Sequence, residues 1–203
     1  MIKTDYKILD LRLHRAESWL KCSEIYSNDD DVSFISQWIA FNSCYLTDTE
    51  KEERLCERES FKNFIKALII NDKQNRIENC LWDNYSDFIR TLIDNHFVYS
   101  QFWVSIRHGD SDWKDTFEKS KILALKALSE RNVVLVMSIV LDRLYCLRNQ
   151  LMHGGATYHS SINRQQVKDG KRMLSELMPI IVEIMKTSGK EYDWGEISYP
   201  VIK

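Results

Sequence analysis

Residues 132–155 read NVVLVMSIVLDRLYCLRNQLMHGG. Val133, Val136, Met137, Val140, Leu144, Leu147 and Leu151 recur at intervals of three and four, apart from the adjacent pair Val136–Met137. That is the period of an α-helix with one face turned to a core. No proline interrupts the run, and the Gly154-Gly155 pair ends it, since glycine adopts φ > 0 without a Cβ clash. A helix over about 132–152 is therefore expected. Its last turn gathers Arg148, Asn149 and His153, polar residues at the end of an otherwise apolar element.

The sequence on either side has the same character. The chain holds only two prolines, Pro179 and Pro200, and six glycines, so few positions break a helix. Ile8, Leu9, Leu13, Ala16, Leu20 and Ile25 give a helical period over about 6–26. The acids of NDDD (28–31) suit an N-cap and the positive end of a second helix over about 32–47. On that helix Trp38, Phe41, Asn42 and Tyr45 share a face, with the aromatics read as core and Asn42 as a buried amide or a support for a site. TDTEKEERLCERES (47–60) reads as a charged connector, and FKNFIKALII (61–70) opens a third helix. Residues 81–106 read as one or two aromatic-rich helices broken near His96, RHGDSD (107–112) as a loop, and 113–130 as a helix. After the loop ATYHSS (156–161), a last helix covers about 163–186, bent by Pro179, and the tail from Lys186 looks loosely held. The expectation is one all-α domain of about six to eight helices over 1–203, up-and-down, with its core at about 6–186 and a tail at 187–203.

Composition narrows the functional classes. Apolar residues make up 44% and charged residues 29%, as in ordinary globular proteins, and 203 residues are enough to bury a core without staples. A net charge of −2 argues against a polyanion binder acting through bulk charge. Cys22, Cys44, Cys56, Cys80 and Cys146 are an odd number with no C-x-x-C spacing and no leader-like segment before them, which points to reduced thiols in a cytoplasmic protein. Cys22, Cys44 and Cys146 lie among apolar residues and read as buried small hydrophobes. No apolar run approaches the ~18 residues of a membrane span.

Charge is uneven along the chain. Between Asp142 and Arg172 the bases are Arg143, Arg148, Arg164, Lys168, Lys171 and Arg172, against only Asp142 and Asp169. Between Asp29 and Glu59 acids dominate, with Lys51, Arg54 and Arg58 opposing them. Two readings fit: a pair of solvated faces that attract each other in the fold, or a phosphate-binding patch around residues 148–172. Arg164, Lys168 and Arg172, spaced i, i+4 and i+8, make either a solvated helix face or a track along an RNA backbone. Tyr158 and His159 are loop aromatics able to stack on a base.

Arg148 and His153, five residues apart, stand about 140° from each other on a regular helix and share a face only if the last turn unwinds. Arg90 and His96 fit the same R-x(4–6)-H spacing but lack the adjacent asparagine, the glycine pair and the basic surroundings, so His96 reads as a helix-end histidine. His14, His96, His108, His153 and His159 show no H-E-x-x-H or cysteine partners, and HGDSD (108–112) reads as a polar loop, so no metal and no cofactor are expected.

RNQLMHGG (148–155) resembles the R-x(4–6)-H signature of the HEPN superfamily, with a polar residue directly after the arginine. FISQWIAFNSCY (34–45) is similar to the second-helix segment of bacterial Apea-like HEPN proteins, and INRQQVKDGKRML (162–174) resembles their helix after the motif, so the likeness covers about residues 6–186. Where HEPN proteins partnered by a nucleotidyltransferase often carry a tyrosine two residues after the histidine, this chain has Gly155, and the nearest tyrosine is Tyr158. The resemblance implies a helical bundle that forms homodimers, with the motif helices meeting in a composite cleft. It also implies a metal-independent endoribonuclease of the defence or toxin–antitoxin type. His153 would transfer protons, Arg148 would stabilise charge at the phosphate, and Asn149 would orient the phosphate or His153. Imidazole titrates near neutral pH, and guanidinium offers a planar, permanently charged fork to phosphate oxygens. The expected partners are RNA, a second copy, and an antitoxin or nucleotidyltransferase on another chain; neither DNA nor membrane is implied. A non-catalytic HEPN module that binds RNA, a nucleotide or a protein is the other reading. It gains from the mild net charge and from the lack of a conspicuous aromatic platform in the sequence.

Overall fold

The structure, a computed structural model, describes residues 6–45, 55–189, 191–195 and 197, with side chains from residue 8 onward and without those of 55–60. The described residues contain nine α-helices and no strand: α1 (Tyr6–Ile25), α2 (Asp30–Tyr45), α3 (Leu55–Asn71), α4 (Arg76–Asn79), α5 (Ser86–Asp94), α6 (Ser100–His108), α7 (Trp113–Ser129), α8 (Val133–Met152) and α9 (Arg164–Ser188). A five-residue π-turn (Cys80–Asn84) precedes α5, and a 3₁₀ turn (His96–Val98) separates α5 from α6. None of these helices is long and apolar enough to cross a membrane. The chain divides into two compact units, Met1–Arg76 with Lys171–Lys203, and Ile77–Gly170.

In the first unit α1 lies on α2, and α2 on α3. Asp29 caps α2, its Oδ1 accepting from the Val32 N–H at 3.0 Å, while Asp30 and Asp31 sit in the first turn at the positive end of the helix. Trp38, Phe41 and Tyr45 are buried, with Trp38 and Phe41 ring centroids 5.5 Å apart. Phe61 and Phe64 of α3 meet Phe41 edge-on, a favoured arrangement for rings whose faces and edges carry opposite partial charge. Arg12 of α1 is buried, yet hydrogen-bonded through Nη1 to the Cys44 carbonyl (2.7 Å) and through Nη2 to the Gly195 carbonyl (3.2 Å). Burial pulls its pKa below the usual arginine value. On α9 a stripe of Met173, Leu174, Leu177, Met178, Ile181, Ile184 and Met185 is buried, and the helix runs through Pro179.

Three expected boundaries move. The charged segment assigned to a connector over 47–60 is helical from Leu55, because Glu and Arg support a helix as well as most apolar residues do; residues 47–54 lie outside the described part. The loop placed at 107–112 begins later, since α6 continues through Arg107 and His108, with the Arg107 cation well placed at its negative end, and Gly109 at φ +73° caps it. The tail is not loose over Tyr192–Gly195: Trp194 is buried against Phe64, with centroids 5.7 Å apart, and Arg12 holds the Gly195 carbonyl. At the start of this segment Gly189 passes so close to Leu9 that a Cβ would collide with its side chain.

In the second unit α8 packs against α5, α7 and the 96–98 turn, and α6 packs against α7 and the same turn. Of the stripe read from the sequence, Val136, Met137, Val140, Leu144 and Leu147 are buried, while Val133 and Leu151 at its ends are half-buried. Each fully buried aliphatic side chain contributes roughly 1.5–3 kcal/mol. Asn132 caps the helix, its Oδ1 accepting from the Leu135 N–H at 3.1 Å.

Cys22, Cys44 and Cys146 are free thiols; Cys44, Cys80 and Cys146 are buried and Cys22 is half-buried. Burial pushes the Cys44 thiol up to about 12 and the Cys146 thiol up to about 11, from an ordinary 9.0. In the unfolded chain these thiols ionise near their ordinary value, so the folded state holds more protons above it and stability must fall as pH rises from about 9 towards 12. Each cysteine contributes a slope of at most about 1.4 kcal/mol per pH unit. Urea unfolding at pH 8, 9 and 10 should show the decline, and Cys44→Ala should flatten it. Native alkylation at pH 8 should label Cys22 ahead of Cys44 and Cys146; equal labelling would contradict the burial.

Candidate functional site

The polar end of α8 is built by its termination. The His153 N–H still donates to the Asn149 carbonyl at 3.0 Å, so the helical turn is kept through the histidine. Gly154 then reverses the chain at φ +69°, a value strained for any side chain, and the Ala156 N–H returns to the Gln150 carbonyl at 3.2 Å. The unwinding that would swing His153 onto the face of Arg148 does not occur.

Arg148 is half-buried. Its Nη1 donates to Asn149 Oδ1 at 2.9 Å, and the guanidinium lies 5.9 Å from the centroid of the Tyr145 ring, at the edge of cation–π range. No carboxylate pairs with it among the described residues. Its remaining N–H groups are therefore open to an anion. Asn149 differs from expectation: its carbonyl oxygen is committed to Arg148, so it orients the arginine, and only its NH₂ is left for a phosphate. His153 is exposed and makes no side-chain hydrogen bond among the described residues. The structure thus joins Arg148 to Asn149 and leaves His153 separate within one chain.

The other expected contacts divide. Tyr158 and His159 are exposed and rest on each other, centroids 4.0 Å apart, with His159 at φ +56°. Arg164 is half-buried with Nε on the Ser160 carbonyl (2.9 Å), Lys168 is exposed, and Arg172, also exposed, belongs to the first unit. Asn42 is half-buried in the first unit, its Oδ1 shielded and without a hydrogen-bond partner. The basic stretch shrinks on folding. Arg143 is buried to 1% exposure, stacked 4.4 Å from the Tyr99 centroid with Nη2 on Ser120 Oγ (3.2 Å), out of reach of a phosphate. Burial lowers its pKa. Lys171 binds Asp30 at 2.6 Å and the Ser27 carbonyl at 3.0 Å, so one base of the basic stretch does neutralise one acid of the acidic stretch.

Sequence reasoning missed a chain of amides behind the motif. Gln150, inside RNQLMH, donates from Nε2 to the Phe97 carbonyl (2.6 Å) and accepts at Oε1 from Asn163 Nδ2 (3.0 Å). Asn163 Oδ1 in turn accepts from Asn95 Nδ2 (3.2 Å), and Asn95 Oδ1 takes the Phe97 N–H (2.9 Å). These bonds tie the end of α8 to the 96–98 turn and to the residue just before α9. His96 does stand at a helix end, just after α5 at the start of the 96–98 turn, and its ring lies among Phe97, Phe102, Trp113 and Phe117, stacked on Trp113 at 5.3 Å.

No protein-family model, curated protein or solved structure matches the chain. The functional reading therefore rests on the end of α8 itself: an arginine without a carboxylate, held by its neighbouring asparagine, and an exposed imidazole one turn on.

Proposed function

We propose that the protein is a HEPN-like, metal-independent endoribonuclease that acts as a homodimer. The observation carrying this reading is Arg148, held by Asn149 and Tyr145 yet unpaired by any carboxylate among the described residues, next to an unencumbered His153. RNA brings its own nucleophile. An imidazole removes the 2′-OH proton, the 2′-oxygen attacks phosphorus, and the 5′-oxygen leaves with a proton, giving a 2′,3′-cyclic phosphate and a 5′-hydroxyl. The guanidinium meets the charge that develops on the phosphoryl oxygens, in a planar fork that asks no proton bookkeeping of it. Because Arg148 and His153 diverge on one helix, the reading has the two chains of a dimer complete each other's cleft. A defence or toxin role, restrained by an antitoxin or nucleotidyltransferase partner, in the cytoplasm, belongs to the same reading.

The test is incubation of the protein with total RNA in EDTA, with the new ends analysed. Cleavage leaving cyclic phosphate ends supports the reading. A folded dimer that cuts nothing across neutral pH favours a binding module, the alternative that the burial of Arg143 and the pairing of Lys171 make more credible by thinning the basic surface.

A further inference from the structure

We propose that Phe97 and Trp103 form a stacking platform for an unpaired base of the RNA, which makes the substrate single-stranded beside the cut; this rests on the endoribonuclease reading above. Large aromatic rings are usually buried, yet Phe97 is 42% and Trp103 37% exposed. Their centroids lie 6.4 Å apart with the planes tilted by 43°, so together they offer a broad apolar surface. The platform is rigid before any ligand arrives. Trp103 Nε1 donates to the Phe97 carbonyl at 2.7 Å, which uses the indole's one polar group and fixes the ring. Phe97 is braced from behind by the buried Phe102 (5.5 Å, nearly perpendicular) and by His96 (4.1 Å). A ring already held in place loses little freedom on stacking, so more of the contact energy appears as affinity.

The platform is also fastened to the motif. The carbonyl that accepts from Trp103 accepts from Gln150 Nε2 as well, and Gln150 lies two residues beyond Arg148 and three before His153. The chemistry around it suits nucleic acid. Arg107 follows Trp103 by one helical turn on α6, is exposed, and would stand over the phosphates of a base stacked on the indole; α6 itself carries no acid. A paired base hides both faces in its stack, whereas an unpaired one can lay a face on an aromatic ring.

The experiment measures binding of labelled oligouridylate by fluorescence anisotropy, using the full chain with His153→Ala so that nothing is cut. Two further probes are an abasic oligomer of the same charge and a blunt RNA duplex. Trp103→Ala and Phe97→Ala should each weaken oligouridylate binding by about tenfold or more, Trp103→Phe by under about threefold, while the abasic oligomer and the duplex bind weakly and ignore the substitutions. Unchanged affinity in Trp103→Ala, or equal loss for the base-bearing and abasic oligomers, overturns the platform. So does a shift from dimer to monomer in sedimentation at unchanged RNA affinity, which would make this face a contact between copies. If wild type cuts RNA while Trp103→Ala alters neither affinity nor rate, the platform fails and the nuclease stands. If binding depends on Trp103 but wild type cuts nothing, the platform stands and the nuclease fails.

Discussion

Replacing His153 by alanine is expected to slow RNA cleavage by about 10²–10⁴-fold, the range for loss of a positioned general acid–base. Its stability should hold to within about 0.5 kcal/mol, because the side chain is exposed and hydrogen-bonds to nothing described. That separation of activity from stability is what makes the variant informative. Arg148→Ala is expected to cost about 10²–10³-fold, as for other single groups that stabilise transition-state charge. Arg148→Lys keeps the charge but loses the fork and the bond to Asn149, and should recover only part of the rate. Single-turnover cleavage of one defined RNA, beside the thermal midpoint of each variant, gives both quantities. Full activity in His153→Ala would remove the imidazole from the chemistry. A large stability loss in Arg148→Ala, with no change in rate per folded molecule, would make the motif a structural end-cap for α8.

The largest effect on folding is expected at Trp38. It is 1% exposed, with Phe34 at 6.5 Å and Phe41 at 5.5 Å between ring centroids. Truncation to alanine removes the ring's burial and leaves a void that close-packed neighbours fill only in part, a loss of about 3–5 kcal/mol. Trp38→Phe, which keeps much of the volume, should cost well under half of that. Chemical denaturation resolves the difference as a shift in midpoint at constant slope. A loss below about 1 kcal/mol would mean that α2 is not the packed centre of its unit, and the interlocked rings from Phe41 to Trp194 would need another explanation.

Legibility followed the physics of each feature. Periodic apolar stripes are strong local signals, so α1, α2, α7 and α8 were expected within a few residues of where they lie. The aromatics of α2 were read as core and are core. Charged residues misled, because Glu and Arg suit a helix and a connector alike, which hid the first turns of α3. Trp194 misled differently. Nothing near it repeats, and its burial depends on Phe64 and Arg12, more than a hundred residues away. For the candidate site, Arg148 and Asn149 are legible as neighbours, but Asn149 reads as a support for a phosphate or His153, and its bond to Arg148 has no sign in the sequence. The Asn95–Asn163–Gln150 chain joins residues up to 68 apart and has no sequence spacing of its own. Nothing in the sequence singles out Phe97 and Trp103 among the aromatics of 81–106, and only their exposure distinguishes them.

That amide chain has a consequence for how salt acts on the protein. Every link in it is between uncharged groups, from Asn95 through Asn163 and Gln150 to the Phe97 backbone. Added electrolyte screens exposed charges over about 8–10 Å at physiological strength but leaves short neutral hydrogen bonds nearly untouched. The geometry at the end of α8 should therefore be the same in dilute buffer and in brine, while attraction for a polyanion fades steadily. A plot of binding against ionic strength then counts released counterions without a second contribution from a loosening loop.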